Sequence, residues 1–191
     1  MLSFYYICCM DEESGSVHNY VYSNALVEFV KAANEFCRFL EELEGTEGKA
    51  FISESVAQLA DLYVLFLRVG ETEPVFDSSP EPTVTEQEWS ALFQRIAGIL
   101  GSSNDILRMA GEDEFDRSEL VNHTISEDMA DIYQEMRDFT VIYARGLEEL
   151  MNDAAWELRV RFAEHWGTKL LRALSALHLL YVNDVDPSQE E

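Results

Sequence analysis

The sequence predicts an all-α fold: a helical bundle of four long helices plus one short helix, with left-handed bundle packing. Three observations lead there. Apolar residues recur at alternating steps of three and four over several long stretches, the spacing that lays one continuous stripe along a helix. No polar/apolar alternation runs longer than a few positions, so nothing reads as a strand. The chain has 191 residues, 47% of them hydrophobic and 12% aromatic, enough for a single core and too apolar for wholesale disorder.

Residues 1–22 carry no helical period and read as a loose N-terminal arm. A single bundle domain is expected over 23–183, and an acidic tail over 184–191. The first ten residues look faintly like an apolar leader, but they lack a basic start and run into Asp11, Glu12 and Glu13; Met10 offers an alternative start. Ser23 or Asn24 is the expected cap of the first helix, whose seam is Leu26, Val30, Ala33, Cys37 and Leu40, with Gly45 as a stop. Ile52, Val56, Leu59, Tyr63 and Phe66 make the second seam, from about Ala50 to Val69 and Gly70. Pro74, Pro80 and Pro82 punctuate residues 71–84, which read as a solvated connection.

Thr85 followed by Glu88 has capping-box spacing and opens the short third helix through Trp89, Leu92, Phe93, Ile96 and Leu100; Gly101 closes it. From Ser102 to Asn122 the chain is polar and acidic, with one helical turn expected near Ile106 to Met109. Thr124 and Glu127 repeat the capping spacing before a fourth seam of Ile125, Met129, Ile132, Met136, Phe139 and Tyr143. The longest stretch, Ala154 to Tyr181, reads as one last helix capped by Asn152. Its seam is Trp156, Val160, Ala163, Gly167, Leu170, Leu174, Leu177 and Tyr181.

Charge narrows the function classes. Acidic side chains outnumber basic ones 37 to 13, for a formal charge of -24. Such a surface repels phosphate backbones and anionic lipid, which argues against nucleic-acid or membrane binding through a basic patch. Basic partners, divalent cations or simple solubility remain. No stretch approaches the roughly 20 apolar residues of a membrane span. Three cysteines, Cys8, Cys9 and Cys37, without a Cys-x-x-Cys pair, fit a reducing compartment, so a cytoplasmic protein is expected. Cys37 falls on a seam and reads as a small core residue.

Two ridges could carry chemistry. On the fourth helix Asp128, Asp131, Glu135 and Asp138 are three or four apart and share one face. Hard divalent cations need several oxygen ligands, and carboxylates so spaced can supply two. Glu127-Asp128-Met129-Ala130-Asp131 locally resembles the Glu-Glu-x-x-Asp element of all-α nucleoside triphosphate pyrophosphohydrolases, which hold magnesium over a triphosphate. A second acidic motif would have to come from Glu41, Glu42 and Glu44 at a helix end. On the last helix Arg161, His165, Lys169 and Arg172 form a basic ridge beside Glu157 and Glu164. Its plainest use is ion pairing with the acidic fourth helix or along its own; its sharper use is an anion site or an acid–base group at His165. No Ser, Cys or second His stands at a spacing that would specify catalysis, and no Glu-x-x-His, phosphate loop or zinc spacing occurs. His178 reads as a boundary residue; His18 and His123 lie in loops.

The fourth-helix run Ser126 to Asp138, the run Ala155 to Gly167 containing Trp-Glu and His-Trp-Gly, and the trailing Arg-Ala-Leu-Ser-Ala-Leu-His together resemble a bacterial family, domain of unknown function 5063, over roughly residues 24–182. The resemblance implies a small helical bacterial protein without an established activity. Its Trp-Glu and His-Trp-Gly elements map onto Trp156, Glu157, His165, Trp166 and Gly167. Lys169 and Leu170 stand where the family pattern leads one to expect a second histidine and a small residue, which argues against a metal there.

The resulting expectation is a non-catalytic cytoplasmic protein that binds a protein partner or small ligand in the groove between the fourth and last helices. The candidate contacts are Asp131, Tyr133, Glu157, Arg161, His165 and Trp166, and no cofactor is required. The alternative is a magnesium-dependent phosphohydrolase using Asp128, Asp131 and Glu135. A purely structural or oligomeric role would be marked by an exposed apolar patch.

Overall fold

The computed structural model describes residues 17–77, 81–106 and 123–189. After a short helical segment at 17–21, six longer α-helices follow among these residues: α1 (Asn24–Glu41), α2 (Gly48–Phe66), α3 (Glu86–Leu100), α4 (Ile125–Tyr143), α5 (Glu148–Arg161) and α6 (Gly167–Val182). A π-helical turn, Phe162–Trp166, joins α5 to α6 as one long rod. No strand forms among the described residues; Asp105 and Thr124 make one isolated antiparallel bridge. The all-α prediction stands.

Side-chain capping explains where α1, α3 and α4 begin. The Ser23 hydroxyl accepts the Leu26 N–H at 3.4 Å. Thr85 and Glu88 close a complete capping box, and Thr124 accepts the Glu127 N–H at 3.2 Å. Each such bond satisfies a donor that the first helical turn leaves without a partner. α3 ends where Gly101 turns to a φ of 53°, a conformation that costs glycine little.

The apolar stripes then meet. α4 is central, with Ile125, Met129, Ile132 and Met136 fully buried. Phe29 and Phe36 of α1 and Trp166 and Leu170 of the rod are equally enclosed. Phe66 gathers an aromatic knot, its ring centroid 5.0 Å from Phe29, 4.7 Å from Phe162 and 4.9 Å from Trp166. Enclosing one such ring contributes about 2–3 kcal/mol. The Arg159 guanidinium lies 4.9 Å over the same ring and donates to the Val69 carbonyl at 2.5 Å, tying the end of α2 to α5. Cys37 is buried and unbridged.

The rod departs from expectation in two ways. It begins at Glu148, so Asn152 is an interior position; its side chain accepts from the Thr72 hydroxyl at 2.5 Å and donates to the Glu73 carbonyl at 2.7 Å. Its buried stripe is Met151, Ala155 and Leu158, then Trp166, Leu170, Ala173, Leu177 and Leu180. Ala163 and Tyr181, expected on the seam, face solvent, while Trp156 and Val160 are half-buried. The cause is the π-turn. The Gly167 N–H reaches back five residues to the Phe162 carbonyl, so one extra residue enters the turn. Gly167 permits this closeness: a Cβ there would stand 2.9 Å from the Phe162 ring and closer still to its carbonyl oxygen.

Three peripheral segments are also anchored. The connection read as solvated is tied down at 71–77 and 81–84. Asp153, only 3% exposed, accepts the Val75 and Phe76 N–H groups at 2.7 and 2.8 Å. Asp138 accepts the Thr83 and Val84 N–H groups at 2.5 and 2.9 Å and the Thr83 hydroxyl at 2.6 Å. Within the arm expected to be loose, residues 17–21 are helical; Val21 is fully buried and its carbonyl accepts the Tyr143 hydroxyl at 2.5 Å. The tail folds back, with Lys49 donating to Asp184 at 3.0 Å and Pro187 buried against Gly48. Cys8, Cys9, Met10 and the turn expected beyond Ile106 lie outside the described residues. Among the described residues, no helix is long and apolar enough to cross a membrane.

Candidate functional site

The acidic ridge of α4 and the basic ridge of the rod meet each other in antiparallel order. Asp128 takes both arms of Arg172, whose Nε donates at 2.6 Å. Asp131 takes Lys169 and, on its other oxygen, the indole N–H of Trp89 at 2.8 Å. Glu135 takes Arg161, whose Nε donates at 2.7 and 2.9 Å, and lies 3.1 Å from Nδ1 of His165. Spacings of three and four on both helices put the partners opposite one another, as ridges of equal pitch require. The carboxylates are the buried members: Asp128 is fully enclosed and Glu135 is 6% exposed. The cations keep their heads nearer solvent on apolar stems.

This ladder satisfies its own charges. The carboxylate bond to Glu135 pushes the Arg161 guanidinium further up, against some opposing burial, and Asp128 does the same for Arg172. Paired, charge-assisted bonds of this kind are the strong ones in proteins. The three acids considered as metal ligands, Asp128, Asp131 and Glu135, therefore each already hold a cationic side chain. Among the described residues no group of three or more His, Cys, Asp or Glu is arranged to hold a metal ion. Glu41, considered as part of a second acidic motif, bonds Tyr133 instead.

The six candidate contacts separate. Asp131, Arg161 and His165 belong to the ladder. Glu157 flanks it, lining with Glu135, Asp138 and Arg161 a recess of only about 70 Å³. Trp166 is a correction: it is fully buried and its indole N–H donates to the Leu158 carbonyl at 2.9 Å, so it packs the core and offers nothing to a ligand. Tyr133 faces elsewhere. Its hydroxyl donates to Glu41 at 2.9 Å, beside an open cleft of about 580 Å³ between the end of α1, α3, α4 and residues 83–84.

That cleft contains two residues the sequence reading passed over, Arg95 and Arg137. A signal was available: each is the only basic residue on its helix, Arg95 on α3 and Arg137 on α4. Arg137 Nε lies 3.5 Å from Glu41, and Arg95 donates to the Glu41 carbonyl at 3.3 Å. The Tyr133 hydroxyl is pushed up from its ordinary 10.0, by burial first and then by its bond to Glu41. Burial likewise raises Tyr143 and, more strongly, Cys37. A group whose folded pKa is raised adds stability that is complete below its unfolded pKa and disappears as pH rises toward the folded value. The melting temperature should therefore start to fall at about pH 8.5, where an unfolded cysteine ionises, and fall more steeply above about pH 10, where unfolded tyrosines do. Tyr133→Phe should flatten part of that fall; an identical alkaline slope in the variant would remove Tyr133 from its cause.

The fold is similar to that of protein BF1032 from Bacteroides fragilis, a crystal structure from a structural-genomics consortium. The two are 34% identical with a TM-score of 0.74, over 83% of this chain and 93% of that one. No curated protein is similar enough to count as a match. A family model described as a domain of unknown function, DUF5063, matches residues 20–183.

Proposed function

We propose that this chain, which belongs to the family of domain of unknown function 5063, is a non-catalytic cytoplasmic binding protein that takes a small ligand in the cleft beside Tyr133. One observation carries the reading. The groove between α4 and the rod is occupied by side chains that neutralise one another, whereas the cleft beside Tyr133 is open, about 580 Å³ in volume and within the usual size of ligand pockets. The ladder is then a structural seam. The magnesium-dependent phosphohydrolase is the weaker alternative, because a cation at Asp128, Asp131 and Glu135 would have to displace Arg172, Lys169 and Arg161.

A thermal-shift screen separates the two. The purified protein is melted with magnesium, manganese, nucleotides and a panel of small metabolites, beside Asp131→Asn and Ala91→Trp, each variant compared with its own unliganded midpoint. Ala91 is exposed on the cleft wall, so an indole there fills the site at little cost to the core. A ligand that binds only the folded state raises the midpoint. The expected result is a metal-independent rise that survives Asp131→Asn and is lost in Ala91→Trp. A magnesium-dependent rise abolished by Asp131→Asn, with pyrophosphate released from a nucleotide, would reverse the choice.

A further inference from the structure

We infer that the cleft takes an anionic ligand, a small molecule carrying a carboxylate or phosphate group, held by Arg95 and Arg137; this rests on the binding function proposed above. The inference comes from how the arginines of this chain are used. A guanidinium presents five N–H donors in a planar fork. Arg161 and Arg172 have theirs engaged by carboxylates on two sides of the fork. Arg137 has one contact to a carboxylate, at 3.5 Å, and Arg95 one bond, at 3.3 Å to a backbone carbonyl. Both line the same cleft.

In a chain with 13 basic and 37 acidic side chains, Arg95 and Arg137 line one cavity together, each with donors to spare. Carboxylates are abundant, and the fold gives Arg161 and Arg172 one each. Glu41 does not saturate the pair, because its Oε1 also accepts the Tyr133 hydroxyl. Glu88, across the cleft, is engaged by the Thr85 N–H and hydroxyl at 2.8 and 2.7 Å. Those bonds draw its carboxyl below the usual range, so Glu88 stays ionised as a fixed part of the α3 cap. A ligand anion would therefore meet two guanidinium forks, with Glu41 and Glu88 placed to accept from hydroxyl or amino groups beside it. Leu40, Leu92 and Val141 supply an apolar floor. The overall negative charge repels free anions at long range, so selection has to be local, where planar forks bind carboxylate and phosphate best.

The test is a titration with inorganic phosphate and, separately, citrate, followed by amide NMR shifts at a fixed ionic strength of about 0.15 M, where long-range repulsion is screened. Saturable shifts confined to the amides of Ala91, Arg95, Arg137 and Val141 are expected. Arg137→Gln should weaken binding about tenfold, as loss of one charge-assisted contact does, and Arg137→Lys should recover part of it. Arg95→Gln supplies an independent second variant. The stronger of the two probes tells phosphate from carboxylate chemistry. Shifts that are unchanged in both glutamine variants, or absent for both probes, would overturn the anion assignment. If a neutral or cationic metabolite still binds and Ala91→Trp abolishes it, the cleft remains a binding site and only its ligand class was wrong. If no anion and no metabolite moves these amides, the proposed function falls as well.

Discussion

Arg172→Leu is expected to cost about 3–5 kcal/mol of stability, the range seen when one member of a buried ion pair is removed. The reason is Asp128. Its carboxylate is fully enclosed and accepts from both arms of Arg172. Leucine would leave a buried charge without water or counter-ion, which is the most expensive way to break such a pair. The companion replacement Asp128→Leu with Arg172→Leu should recover much of the loss, since two apolar side chains have no such penalty. Lys169→Met should cost less than Arg172→Leu, because Asp131 keeps the Trp89 indole N–H and is itself 15% exposed. Urea denaturation with an unchanged slope is the measurement. A loss below about 1 kcal/mol for Arg172→Leu would mean that Asp128 reaches solvent and the ladder is no more than a surface pair.

Gly167→Ala should lower stability by about 3 kcal/mol, at the upper end of what overpacking costs. The sign is the informative part. In an ordinary helix interior the same change gains about 1 kcal/mol. Here the added methyl meets the Phe162 ring at 2.9 Å, and the Phe162 carbonyl cannot withdraw without giving up the π-turn bond to the Gly167 N–H. Phe162 is in turn wedged at 4.7 Å from Phe66 and 4.6 Å from Trp166, so the ring has little room to move. Thermal melting with near-ultraviolet dichroism of the buried Trp166 reads the effect. A variant more stable than the parent would show that Phe162–Trp166 follows an α-helical path.

How much of this was legible in the chain depended on whether the governing pattern was local. The stripe of α4 runs unbroken at α-helical pitch, so Ile125 to Phe139 announce their own burial, and Ser23, Thr85 and Thr124 announce the starts. On α1 and α2 Leu26, Ala33, Cys37, Leu40, Ile52, Leu59 and Phe66 are buried as the pitch predicts, while Val30, Val56 and Tyr63 are half-buried and Phe29, Phe36 and Leu62 beside them are enclosed instead. The ladder was half legible. Two ridges of opposite sign at matching spacing suggested pairing, although spacing alone could not choose between pairing across helices and a ligand. The π-turn left no such mark, because one inserted residue between two in-step stripes resembles a single stripe that drifts. That is why Trp166, adjacent in sequence to His165, was placed with the charged groups when it points into the core. The carboxylate ties were illegible for another reason. Asp138 and Asp153 accept from backbone N–H groups about 55 and 78 residues away, and any residue except proline offers such a donor. The cleft likewise draws its walls from three helices and a connection, a coincidence of tertiary structure.

Those ties bear on how the molecule opens. Amides in a connection without regular structure ordinarily exchange with solvent through small local fluctuations. Releasing the amides of Val75 and Phe76 takes two of its three donors from the buried Asp153 carboxylate and leaves it the Asn152 side-chain amide. Thr83 and Val84 are held by one oxygen of the half-buried Asp138, which also accepts the Thr83 hydroxyl. Their exchange is therefore coupled to loosening of α4 and α5 themselves, so on the clock of solvent exchange these four loop amides belong with the helices and not with the surface.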